Sequence, residues 1–167
     1  MLTARTWVHV HSQVESTPVD TILCQRSGRR ATLNASEWQR FLADPHFLGE
    51  FYAASPPTLD ECELFYVHVD EREDSVTLGF DTRCLPSHPD PEWHEKPYNR
   101  FEFHLLFSGV VDFQVSKWTD VEAREVNVRA TPGDVISVSL GHDDSGISFR
   151  ASSMRLVHTR VYLAADS

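Results

Sequence analysis

Two stretches carry residue types and spacings that could do chemistry. His9-Val10-His11 with Glu15 mimics the first metal-binding motif of cupin barrels, where imidazoles and a carboxylate suit a divalent ion. The competing reading is a half-exposed strand whose polar face happens to be histidine. That second reading is favoured. The cupin pattern needs a further histidine downstream, and Pro132-Gly133 is followed by none at the matching place. His88, Asp90, Glu92, His94 and Glu95 crowd a second stretch, but Pro89 and Pro91 stiffen it and scatter its side chains. Exposed loop polars are the expected role there, so no metal site is assigned. Cys24, Cys62 and Cys84 lie far apart, with no C-x-x-C pair and no neighbouring base. The chain contains no G-x-S-x-G, H-E-x-x-H, Walker or G-x-G-x-x-G motif. No catalytic residue and no cofactor is expected.

Charge is the stronger signal. The net charge is −10, which disfavours nucleic acid as a direct ligand, because neutralising phosphate takes basic side chains. Between residues 60 and 92 stand ten acids, opposed only by Arg72 and Arg83. The plain reading is a solvated face that maintains solubility. The sharper one is a docking surface that steers a basic partner.

These residues need a scaffold, and the stretch from Leu78 to Trp118 organises it. Leu78, Phe80 and Thr82 share one face of an extended segment. Pro86, Pro89, Pro91 and Pro97 then rule out sheet and define a long loop. Phe101, Phe103, Leu105 and Phe107 alternate with Glu102, His104 and Leu106, a period of two that predicts a strand. Trp93, inside the loop, is either a lid over the core or an exposed anchor for a partner.

Earlier, Trp38, Phe41 and Leu42 fall at helical spacing, and Phe47, Leu48 and Phe51 continue it beyond a break at Asp44-Pro45. Ser36 is placed to cap this broken helix, which Ser55-Pro56-Pro57 ends. Trp38 and Trp118 are expected in the core. Strands are predicted near 61–70, 75–82, 100–107, 110–117, 124–130, 135–140, 146–151 and 154–164. Val111, Phe113 and Val115 should share a face. Short turns separate most of these runs, Thr131-Pro132-Gly133-Asp134 being the plainest. The expected class is α+β: an antiparallel meander of about seven to nine strands, a sandwich or half-barrel, with the broken helix packed on it.

Residues 1–35 read as an N-terminal extension, either two strands added to the sheet or a loosely attached segment. Residues 36–164 form the main domain. There is no apolar run long enough for a membrane span and no apolar leader in the first residues. Three dispersed cysteines suggest no disulfide framework and a reducing cytosol.

The same residues carry a resemblance. The Trp38–Phe51 segment comes first and the acidic hairpin follows. Then come Leu78–Asp81, Pro86, Pro91–Trp93, Asn99, the strand to Phe107 and Trp118. The chain closes with Ile147–Ala151 and Met154–Tyr162. In that order they resemble the immunity protein 50 family of bacterial polymorphic toxin systems, over roughly residues 36–163. The resemblance implies a cytoplasmic antidote that binds and neutralises a cognate toxin protein, with no catalysis. Many such toxins are basic nuclease domains. Residues that match the pattern should define the fold, because an immunity interface must vary with its toxin. The expected partner-binding residues are therefore Glu63, Asp70, Glu71, Glu73 and Asp74 of the acidic hairpin and Asp90, Glu92 and Trp93 of the proline loop. A small-ligand or metal-binding β-barrel of cupin or lipocalin type is the alternative.

Overall fold

The computed structural model describes residues 38–52, 55–117, 126–141 and 145–165, apart from the side chains of His46 and Phe47. The His9-His11-Glu15 stretch, the Ser36 cap, Trp118 and the whole N-terminal extension lie outside the described residues.

Among the described residues, eight strands make two four-stranded antiparallel sheets. The first contains, in order, β1 (Glu63–Asp70), β2 (Ser75–Thr82), β3 (Arg100–Ser108) and β8 (Ser153–Tyr162). The second contains β4 (Val111–Ser116), β7 (Gly146–Ala151), β6 (Val135–Leu140) and β5 (Val126–Thr131). No closed barrel forms among the described strands. The expected α+β class holds: antiparallel strands dominate, and the helical part is a short, broken front piece. A 3-10 turn spans Trp38–Phe41, and an α-helix, α1, spans His46–Phe51.

The alternation read in the sequence now has a physical meaning. Phe101, Phe103, Leu105 and Phe107 of β3 are fully buried, as are Val76, Leu78 and Phe80 of β2. They meet Val126, Val128, Ile136, Val138, Leu140, Ile147 and Phe149 from the second sheet in one core cluster. Phe107 and Phe149 make an edge-on ring contact at 5.4 Å across the two sheets. Trp38 stacks on Phe103 at 5.5 Å, and its Nε1 donates to Pro57 O at 3.0 Å, so its one polar atom is satisfied. Leu42 pairs in parallel with Met154, which fastens the front segment to β8.

Two connections carry the chain from one sheet to the other, and they cross side by side. β3 passes into β4 through Gly109, and β7 passes into β8 through Ser152. Ser152 N and Oγ both donate to Ser108 O, at 2.9 and 3.0 Å. Gly109 has φ +64, where only glycine is unstrained, and a Cβ there would fall onto Ser152 Oγ. Gly109→Ala is therefore expected to cost about 1–3 kcal/mol in denaturant unfolding. A loss below about 0.5 kcal/mol would mean that the corner is not tightly packed.

β4 departs from expectation. Val111, Phe113 and Val115 are expected to share a face, and all three remain exposed, at 51, 36 and 51%. Asp112 adopts φ 53, and the β4–β7 register shifts between Val111 and Gln114, so the period of two is broken inside the strand.

The cysteines also depart. Cys62 is free, but Cys84 is disulfide-bonded. Sequence spacing cannot show which sulfurs meet in space. The cysteines therefore no longer argue for a reducing compartment.

Two buried groups make stability sensitive to alkali. Tyr52 OH donates to Cys84 O at 2.8 Å, and Cys62 Sγ donates to Thr58 O at 3.3 Å. Burial raises both groups well above their ordinary values of 10.0 and 9.0. Both are neutral when folded and free to ionise once unfolded. Their contribution is intact below about pH 9 and declines as pH rises, by up to about 1.4 kcal/mol per pH unit for each group. A urea midpoint that is flat near neutrality and falls above about pH 9 is expected, with a shallower fall in Cys62→Ala. An alkaline slope unchanged by Cys62→Ala would remove the thiol from this account.

Candidate functional site

The outer face of the first sheet concentrates groups that a solvated sheet face does not ordinarily hold. It begins with a bulge. β1 and β2 pair Leu64 with Phe80 and then Tyr66 with Gly79, so Phe65 is the extra residue. Strict alternation would send Phe65 and Tyr66 to opposite faces. The bulge instead brings both to His104, with ring centroids at 5.8 and 5.4 Å. Gly79 makes the room: a Cβ there would lie 2.8 Å from Tyr66 Cβ and 3.2 Å from His104 Nε2. Tyr66 also stacks on His68 at 6.2 Å, and His104 meets His158 edge-on at 5.1 Å. One cross-strand row thus reads Tyr66, Gly79, His104, His158.

The neighbouring row reads Glu63, Asp81, Glu102, Arg160. Three carboxylates in adjacent strands would repel one another. Two of them are buried, Asp81 at 5% and Glu102 at 4% exposure. Each has its own arginine. Arg100 binds Asp81 Oδ1 at 2.7 Å, and Arg160 binds Glu102 Oε2 through Nε at 2.7 Å and NH2 at 2.6 Å. His104 Nε2 lies 2.9 Å from Glu102 Oε1. Tyr162 OH donates to Asp81 Oδ2, and that bond, followed by burial, raises the phenol above its ordinary range. Glu63 is loosely held, 3.8 Å from Arg100, with a highly exposed side chain. Among the described residues no buried side-chain polar atom lacks a partner, and no three His, Cys, Asp or Glu side chains converge as a metal site.

The partner-binding residues expected from sequence fall into two groups. Asp70, Glu71, Glu73 and Asp74 form the β1–β2 turn, where Asp70 Oδ1 accepts from Arg72 N and Glu73 N at 2.9 and 3.3 Å. Glu71, Glu73 and Asp74 are exposed. Val110 N donates to Asp74 O at 2.8 Å, so this tip sits beside the Gly109 corner. Glu63 is at the other end of β1, about 23 Å away at 3.3 Å per residue. The proline loop leaves that same far end. Asp90 caps a 3-10 turn (Pro91–Glu95) by accepting from Glu92 N at 2.9 Å, and Glu92 is exposed. Trp93 is half-buried, stacked on Phe51 at 5.2 Å and tilted against Phe101 at 5.9 Å, which is the lid arrangement. Asn99 clamps the C-terminal segment, donating to Ala164 O at 3.0 Å and accepting from Ala164 N at 2.7 Å.

The outer-face rows are not evident from the sequence alone. A signal was present: with β2 and β3 paired, Asp81 falls opposite Glu102. The aromatic pair had none, because nothing in Leu64-Phe65-Tyr66-Val67 marks a bulge.

The geometry defines a small α+β domain of two antiparallel sheets, with a polar and aromatic sheet face bordered by an acidic hairpin. The chain belongs to the Immunity protein 50 family, whose model matches residues 45–162, most of the chain. No curated protein and no solved structure matches it.

Proposed function

We propose that this chain is an antidote that binds one cognate bacterial toxin domain and blocks it by covering its surface, without catalysis, cofactor, nucleic acid or membrane. Family membership carries the reading. The family name implies a toxin partner in general. The toxin proposed is a basic domain such as a nuclease: the family resemblance implies the nuclease, and the charge of the exposed hairpin suits a basic partner. The cytoplasm as the place of action rests on the family role alone.

The interface is assigned to the β1–β2 turn, with Asp70, Glu71, Glu73 and Asp74, continued by Glu63 and the proline-loop residues Asp90, Glu92 and Trp93. Against the barrel alternative, the described strands form two sheets that do not close into a barrel. A cavity of about 300 Å³ lies at the edge of β8, lined by Ala43, Asp44 and residues 155–159.

Co-expression with a candidate toxin domain from a neighbouring gene is the test. Survival and co-purification are expected; loss of both refutes the function. The triple change Glu71→Lys, Glu73→Lys, Asp74→Lys should slow association about tenfold at low salt, with the difference shrinking as salt rises. An unchanged rate would move the interface elsewhere.

A further inference from the structure

β1 is the terminal strand of its sheet: among the described strands it pairs with β2 on one side and with nothing on the other. Its sequence is apolar through the middle, and Phe65, Tyr66 and Val69 stay 51, 40 and 44% exposed. No lysine or proline protects it, and its bulge lies near its start, leaving Tyr66–Asp70 in regular register. Both ends of the strand are acidic. Residues 60–74 contain seven acids and one arginine, split as Asp60, Glu61, Glu63 on one side and Asp70, Glu71, Glu73, Asp74 on the other.

The charges select the occupant. A second copy paired antiparallel along this edge would set acidic end against acidic end, and like charges across a strand pair are unfavourable. The other edge of the same sheet, β8, carries Arg155 and Arg160, so it repels what β1 attracts. β4, at the edge of the second sheet, is bent at Asp112.

We infer that the open edge of β1 receives an extended segment of the partner protein as a fifth strand, apolar through its middle and bearing lysine or arginine at both ends. Main-chain bonds would supply most of the affinity, Phe65, Tyr66 and Val69 the apolar contacts, and the acidic ends the register. The inference rests on the toxin-binding reading and specifies how the partner is held.

The edge can be tested without the toxin. The probe is a peptide of alternating valine and threonine with a lysine pair at each end, compared with the same peptide carrying glutamate pairs. Amide hydrogen exchange is followed on the full chain. Protection gained within Tyr66–Asp70, with the lysine peptide binding at least about tenfold tighter, is expected. Val69→Lys, at an exposed position, should abolish that protection while leaving the thermal melt unchanged. Glu63→Lys with Glu73→Lys, both on the surface, should do the same through charge alone. Equal binding of the two peptides, protection on another strand, or no protection at all would overturn the inference. So would full protection of toxin-expressing cells by Val69→Lys, and that outcome would leave the antidote reading intact.

Discussion

Trp38→Ala is expected to remove about 3–5 kcal/mol of stability, the range for deleting a large buried aromatic. Trp38 is completely buried, and its ring stacks on Phe103, which stacks in turn on Phe80 at 5.3 Å. The indole N–H is bound to Pro57 O, so truncation leaves a void and an unpaired carbonyl together. For a domain of marginal stability, about 5–15 kcal/mol in total, such a loss is a large fraction. Urea unfolding measures it. A loss under about 1 kcal/mol would mean that the front segment is not integral to the core. In cells the variant should protect poorly because less folded protein persists, although Trp38 is buried away from the acidic hairpin. Soluble yield separates this effect from an interface defect: Trp38→Ala lowers it, and the lysine triple variant does not.

How far the fold could be read in advance follows from where the chain keeps a strict period. β2, β6 and β7 fall at the expected residues because their alternation is uninterrupted and a turn bounds each. Thr131-Pro132-Gly133-Asp134 ends β5 as read, with Gly133 at φ 87 and Asp134 at φ 59. Legibility stops wherever one residue breaks the period. Phe65 in β1 and Asp112 in β4 each shift the register, so strict alternation along either strand fails beyond them. Which strands fall in which sheet was also hidden. It depends on the Gly109–Ser152 corner, a contact between residues far apart in sequence.

The acidic hairpin was legible as charge, but its distance from the proline loop was not, since that follows from strand length and direction. Pro86, Trp93 and Asn99 were legible as part of the family pattern. Their structural reason is local: Pro86 is buried, Trp93 closes over Phe51, and Asn99 ties down Ala164. Glu102 was counted as the polar side of an alternating strand. That it is buried depends on Arg160 and His104, which reach it from β8 and from its own strand.

The Glu102–Arg160 pair gives the second large effect, and its direction depends on which partner is removed. Glu102 is 4% exposed, whereas the Arg160 side chain is 57% exposed and lies over the Tyr162 ring at 5.4 Å. In Glu102→Ala the guanidinium can turn to water, so the loss should be about 1–2 kcal/mol. In Arg160→Ala the carboxylate cannot follow. It stays beneath the sheet face beside Asp81, with His104 as its remaining neighbour, and the expected loss is about 3–5 kcal/mol. The double variant, with no charge left to strand, should recover most of that and lie within about 1 kcal/mol of Glu102→Ala. Urea unfolding of the three variants closes the cycle. A larger loss for Glu102→Ala than for Arg160→Ala would show that the carboxylate is solvated. The row of charges would then be ordinary surface, and the rings of Tyr66 and His104 would rest on no rigid floor.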